Sequence, residues 1–366
     1  MKILIQFIVA LFVLTGCATT NYSVQQYDPI RNNSSFDSRK NIKMKVYKDF
    51  TKKNNVNNKN NTISIIFPSY TIGKYALEAT NSINTYLINQ DKNFDLKVYD
   101  IIVQNKNNII SAIEQIQKDK IIKVIAMITK DDLMYLKDIP NISKIKFYLP
   151  LINKYDVQDI EELNGLDLTF GAISYKDQFK KLIEYANGKP LVEFYGNSGI
   201  GRALHNYLKN ENIVYTKKID DNNGRYKLFL ENNTRLDNSV VLLNTPIVKS
   251  SILLSAINSQ ELMISKIMST QLNYSPLLFS LTQKHDRNKL IIANSIGDIP
   301  DELEEYNKLI GNNLNYSWVN YSTIIGVEYL LNDNINIFHD LKLIDNQIIF
   351  PIKLYKVGKS SFKLIK

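Results

Sequence analysis

Four arrangements of residues in this chain invite a chemical reading. The first is Gly196-Asn197-Ser198-Gly199-Ile200-Gly201, a glycine turn between an apolar run and an amphipathic stretch. Glycines at a strand-to-helix turn can seat a pyrophosphate on a helix N-terminus. The spacing here is not Gly-x-Gly-x-x-Gly, no Lys-Ser/Thr follows, and the next apolar run ends Thr216-Lys217-Lys218 without an acid. These glycines therefore read as a tight turn with close helix packing, and Ser198 as a turn residue rather than a nucleophile. The second arrangement is the histidines. His205, His285 and His339 stand alone, and Cys17 is the only cysteine, so zinc has no ligand set. Third are the adjacent acids Asp131-Asp132, Glu161-Glu162, Asp220-Asp221 and Glu304-Glu305. Neighbouring side chains on a helix or strand diverge, so each pair reads as a solvated face or a cap. Fourth, Tyr70-x-x-x-Lys74 imitates a reductase pair, but it precedes the glycine turn by more than a hundred residues and opens a helix. No catalytic residue, metal or cofactor is expected.

The elements around these residues follow from periodicity. Residues 63–67 (ISIIF) form an apolar strand ended by Pro68-Ser69, and a helix over 72–89 turns Ile72, Tyr75, Ala76, Ala79, Ile83, Tyr86 and Leu87 inward. Strands at 96–101, 121–128 and 145–151 alternate with helices through Ile109, Ile113 and Ile116 and over 131–137. A strand at 166–173 and a helix at 175–186 lead into the glycine unit, with strands 191–195 and 213–219 around one helix. Strand 239–244, Thr245-Pro246 as N-cap and first helical residue, a helix to 258 and a strand at 264–270 continue the series. Beyond Lys289 come a strand at 290–293, helices at 301–310 and 319–331, and short strands at 341–344, 348–355 and 362–365. Continuous Ile/Val runs alternating with amphipathic helices predict an α/β fold with parallel sheets covered on both faces. Two such series in tandem predict two similar lobes.

The N-terminus carries an address. Lys2 precedes the apolar run 3–14, which is too short to span a bilayer comfortably and ends in small residues, as a cleaved signal does. Leu14-Thr15-Gly16-Cys17 resembles the lipobox of bacterial lipoproteins. That resemblance implies a signal peptide over 1–16 and a fatty-acyl anchor, such as palmitate, on Cys17. Ala18 then points to the outer membrane, facing the periplasm, with the inner membrane as the alternative. Residues 17–62 are polar and Asn-rich and read as an anchored, disordered tether, except that 42–50 alternates enough for a short docked strand. Such a tether reaches roughly 35–40 Å. One cysteine allows no internal disulfide. The net charge of +9 is scattered rather than clustered, and with a periplasmic address it does not indicate nucleic acid.

The order of elements resembles the type I periplasmic-binding-protein fold of branched-chain amino-acid receptors. It is most similar to the LppC-type lipoproteins that activate penicillin-binding proteins. Residues 63–89 resemble the family's first strand and helix, and 189–219 its glycine-turn unit, here Gly199-Ile200-Gly201-Arg202-Ala203-Leu204. Residues 239–258 and 267–273, with Ser269-Thr270-Gln271, resemble two further strands of the activators. The resemblance implies one lobe from 63–172 plus 300–366 and another from 173–299, with crossings near Ile173, at 271–281 and in the last third. Amino-acid receptors carry a Gly-Pro-x-x-Ser turn that holds a carboxylate. Here Ile128-Thr129-Lys130-Asp131-Asp132 stands in its place, and its acids oppose one.

Ligands of open α/β sheets sit beyond the carboxyl ends of the strands. That rule places Ser69, Tyr70, Thr71, Thr129, Asn153, Tyr175, Asn197, Ser198, Thr245 and Gln271 around a cleft suited to a neutral polar ligand. The expected function is a non-catalytic envelope scaffold with a protein partner, regulating a peptidoglycan synthase. The alternative is a solute receptor of an ABC-type uptake system for an amino acid or amide.

Overall fold

A computed structural model describes residues 45–46, 50–52, 62–90, 94–157, 163–220, 225–260 and 262–365. Cys17, the signal segment and the rest of the expected tether lie outside the described residues. Two mostly parallel sheets carry the architecture. The first runs in the order β1 (Lys45–Val46), β4 (Phe94–Asp100), β3 (Thr62–Phe67), β5 (Lys123–Ala126), β6 (Lys146–Leu149), β7 (Asp167–Phe170), β14 (Gln347–Ile349) and β13 (Lys342–Ile344), with β2 (Phe50–Lys52) also on β4. The second runs β16 (Phe362–Leu364), β15 (Lys353–Val357), β12 (Leu290–Asn294), β11 (Lys266–Ser269), β10 (Val240–Asn244), β8 (Leu191–Gly196) and β9 (Ile213–Ile219). Antiparallel pairing is confined to the margins: β1 and β2 on β4, β13 on β14, and β15 and β16 beside β12.

Helices α1 (Ser69–Ile72), α2 (Lys74–Asn89), α3 (Lys106–Lys118), α4 (Lys130–Leu136), α10 (Asp301–Leu309) and α11 (Trp318–Asn332) belong to the first lobe. Helices α5 (Tyr175–Ala186), α6 (Gly199–Tyr207), α7 (Lys227–Leu230), α8 (Ile247–Ser259) and α9 (Leu277–Leu281) belong to the second. Each strand feeds two cores, because successive side chains point to opposite faces. Ile63, Ile65 and Phe67 pack with α2 and α11, while Ile66 packs with α3 and α4. In β10, Val241 and Leu243 enter one core and Val240 and Leu242 the other, all fully buried. Each such side chain contributes about 1.5–3 kcal/mol of transfer free energy. Among the described residues, no helix is long and apolar enough to cross a membrane.

Helix α11 is apolar on nearly every side and lies against the first sheet. It approaches closely because residue 326 is glycine: a Cβ there would stand 2.3 Å from the Tyr148 ring. The Ser322 hydroxyl donates to the Gly171 carbonyl at 2.7 Å, so the Tyr148 hydroxyl, 3.2 Å from Ser322 Oγ, is the donor in their bond.

Two expectations about the lobes need correction. Residues 271–281 do not cross between lobes. They form a 3₁₀ turn and α9 between the neighbouring parallel strands β11 and β12, an ordinary connection within one sheet. The second crossing instead follows β12, over residues 295–300. The segment 300–366 is also divided: α10 to β14 stay with the first lobe, whereas β15 and β16 join the second through β12. Arg287 fixes this arrangement, donating to the carbonyls of Gly358 (3.3 Å) and Lys359 (2.7 Å) in the β15–β16 turn. Residues 45–46, inside the stretch 42–50 expected to dock as a short strand, pair with β4, and residues 50–52 carry that pairing just past it.

Candidate functional site

The strongest candidate site is a cavity of about 210 Å³ where the two lobes meet. Leu151 and Asn153 follow β6, Tyr155 and Asp156 sit on the next turn, and Ala172, Ile173 and Ser174 make the first crossing. Opposite them are Ile200, Ala203 and Tyr207 of α6, with Tyr175 opening α5 and Trp318 opening α11.

Local capping holds each wall. Ser174 Oγ accepts the Asp177 N–H at 3.1 Å and starts α5, and Ser198 Oγ accepts the Gly201 N–H at 3.2 Å and starts α6. Gly201 lets α6 dock on β8: a Cβ there would lie 2.4 Å from the Gly196 carbonyl oxygen. Ser317 caps α11 in the same manner, at 3.5 Å from the Asn320 N–H.

Most of the wall is apolar or aromatic, and its polar groups have partners within the protein. Asn153 Nδ2 donates to the Ala172 carbonyl at 3.0 Å, while its Oδ1 accepts the Tyr155 N–H at 3.1 Å. Tyr207 donates across the lobes to Asp156 Oδ1 at 2.8 Å. Burial raises the Tyr175 phenol well above the usual tyrosine range, with nearby Tyr75 and Tyr207 adding to the rise and the neighbouring Trp318 indole working against it. Burial likewise raises Tyr207, reinforced by its bond to Asp156. Both phenols therefore stay protonated donors or acceptors at any physiological pH. Nothing in this set forms a nucleophile–base pair, and among the described residues no cluster of three or more His, Cys, Asp or Glu could hold a metal ion.

No protein-family model matches the chain. No curated protein sequence matches it either. Solved structures do. A branched-chain amino-acid ABC transporter periplasmic ligand-binding protein from Burkholderia xenovorans superposes with a TM-score of 0.62 at 8% identity, covering 84% of this chain and 94% of its own. A branched-chain amino-acid ABC transporter protein from Thermus thermophilus with bound valine gives 0.58 at 14% identity, covering 83% and 94%. The C-domain of Haemophilus influenzae LpoA, a regulator of PBP1A, gives 0.55 at 10% identity, covering 83% and 100%. Of full-length LpoA, 58% is covered.

The fold is that of the type I periplasmic binding proteins. A neighbour with bound valine and a neighbour that is a regulator of PBP1A share this type I fold, and none of those named is an enzyme.

Of the ten cleft residues expected from the type I pattern, Asn153 and Tyr175 line the interlobe cavity. The other eight do not. Ser69 starts α1, its N–H on Asp100 at 3.1 Å, and the Tyr70 N–H donates to the Ile102 carbonyl at 2.9 Å. The Thr71 N–H donates to the Pro68 carbonyl at 2.9 Å. Thr129 caps α4 in a reciprocal box with Asp132 and accepts from Gln104 Nε2 at 2.7 Å. The Asn197 carbonyl accepts from Arg202, and Ser198 caps α6.

Thr245 is fully buried, paired with Ser250 at 2.7 Å, and Pro246 rather than Thr245 is the residue flanking α8. Gln271 takes the Ser295 N–H (2.8 Å) and Gln178 Nε2 (3.3 Å) on its Oε1, leaving its buried Nε2 without a partner among the described residues. The adjacent acids diverge in burial: Asp132 and Glu304 are buried, and Asp131 and Glu305 exposed.

The pattern did not reveal Tyr207, Asp156, Ile200 or Trp318. Trp318 carried a usable signal, being the one tryptophan of the chain, placed one residue after a serine cap.

Proposed function

We propose that this chain is a non-catalytic interaction module of the bacterial envelope. It would be held at the outer membrane by an acyl group on Cys17 and would regulate a membrane-bound peptidoglycan synthase. One observation carries the reading. Four of the side chains expected to meet a solute at the strand ends are spent inside the protein: Thr129 on Asp132, Thr245 on Ser250, Asn153 on Ala172 and Tyr155, and Ser198 on Gly201, while Gln271 Nε2 has no partner among the described residues. The surface agrees with it. Helix α8 exposes Val248 and Ile252, and α9, which packs beside it, exposes Leu277 and Leu281. An exposed apolar face of this kind marks a protein contact. The LpoA C-domain supports the reading by its fold.

The test is reconstitution of the full-length protein with a bifunctional peptidoglycan synthase in lipid. The wild type is expected to bind and to change the synthesis rate, and Ile252→Asp with Leu277→Asp to do neither while folding normally. A wild type without effect on the synthase contradicts the reading.

A second reading, a solute receptor, has one observation in its favour: the 210 Å³ cavity between the lobes has room for a small side chain. Saturable binding of a neutral amino acid, lost in Ala203→Trp, would support it.

A further inference from the structure

A second cavity between the lobes, of about 320 Å³, shares Trp318 with the first. Tyr75 and Glu78 of α2 form one wall, Tyr316, Trp318 and Asn320 at the start of α11 another, and Ser275-Pro276 of the second lobe faces them. Three aromatic residues thus share the lining with one carboxylate and with the Lys74 ammonium. Ring faces and a carboxylate both attract cations, and together they form the usual recognition set for organic ammonium ions.

Asn320 adds a more specific demand. Its side chain is 1% exposed. Its Nδ2 is turned toward Glu78 Oε2, at 3.4 Å, and its buried Oδ1 has no hydrogen-bond partner among the described residues. An unpaired buried carbonyl is destabilising, and an incoming N–H relieves it. Two features oppose a cation. Lys74 Nζ sits 3.3 Å from Glu78 and 5.6 Å from the Tyr75 ring centroid, but its side chain is 72% exposed, so its charge is screened. The N-terminus of α11 is partly quenched, since Ser317 takes the Asn320 N–H.

We propose that this cavity binds a small organic ammonium ion carrying at least one N–H. The N–H is donated to Asn320 Oδ1, and the charge lies beside Glu78 among the rings of Tyr75, Tyr316 and Trp318. The proposal goes beyond the regulatory reading and does not depend on it.

Trp318 supplies the readout, because it is the only tryptophan and it lines the cavity. Titrating the full-length protein in detergent with benzylamine, benzyltrimethylammonium and benzyl alcohol separates charge from N–H donation. Benzylamine is expected to change Trp318 emission saturably, with the other two at least about tenfold weaker. Glu78→Gln is expected to weaken benzylamine by about tenfold or more. Tyr75→Leu, at a ring already 38% exposed and so tolerant of change, is expected to weaken it as well. The proposal is overturned by benzyl alcohol binding as tightly as benzylamine, by binding that survives both substitutions, or by no saturable change up to about 10 mM amine.

Discussion

The Tyr207 hydroxyl of the second lobe lies 2.8 Å from Asp156 Oδ1 of the first, donating across the mouth of the interlobe cavity. A second contact, between Tyr274 of the second lobe and Tyr316 of the first, brings the ring centroids to 5.4 Å. The lobes are thus joined by the chain's own side chains. Tyr207→Phe removes one of these ties without removing the ring. The expected loss is about 1 kcal/mol or less, because the bond is partly solvated, and equilibrium urea unfolding measures it. Hydrogen exchange should quicken at the first turn of α6 and around residue 156 rather than throughout the molecule.

Gly326→Ala tests the packing of α11 against the first sheet. The added methyl would meet the Tyr148 ring at 2.3 Å, with buried residues on every side. Overpacking of this kind costs about 1–3 kcal/mol or more, which should appear as a lowered melting temperature. Combining it with Tyr148→Leu is expected to return part of that loss, since the offending ring is gone.

Arg287→Met should loosen the β15–β16 hairpin selectively. The guanidinium donates to Thr282 as well as to Gly358 and Lys359, and it lies over the Phe279 ring at 5.2 Å. Hydrogen bonds to a charged group are worth about 1.5–3 kcal/mol. Faster amide exchange confined to residues 353–364 would match this account, and uniform destabilisation would not.

Acid stability should depend on Asp119. Burial works against its carboxylate, but bonds from Tyr99 (2.6 Å), Lys97 (3.4 Å) and Gln115 (3.0 Å) outweigh that and hold it below the ordinary 3.8. A lowered folded value means that the unfolded chain binds the proton first as pH falls. The contribution is therefore complete above the unfolded value and is lost as pH falls through the folded one. Asp119→Asn should lower the urea midpoint at neutral pH and flatten its fall below about pH 4. An unchanged acid slope would remove Asp119 from the account.

Alternating elements were legible wherever apolar periodicity was strong. Residues 121–128, apolar apart from Lys123, read as a buried strand, and β5 occupies Lys123–Ala126 within them. Membership of a sheet was not legible. Residues 353–357 alternate as any edge strand does, and only pairing with β12 and the distant Arg287 assign them to the second lobe. The same limit governs the site. A hydroxyl or amide at a strand end looks alike in sequence whether it meets a solute or another side chain. The partner that occupies Gln271, for example, is Gln178, 93 residues earlier. Tyr207 escaped notice because its helical position reads as core, and its hydroxyl acts only through Asp156, 51 residues away.

The proposed interaction role needs the lobes tied by the protein's own contacts, Tyr207 with Asp156 and Tyr274 with Tyr316, rather than by a solute. Pulsed electron-spin measurement of the distance between nitroxides at Glu114→Cys and Lys180→Cys, in a Cys17→Ser background, tests it directly. The account predicts a single narrow distance distribution without any added solute, unchanged by neutral amino acids or amides and broadened by Tyr207→Phe. A broad, open population that collapses to a shorter distance when an amino acid is added would contradict it.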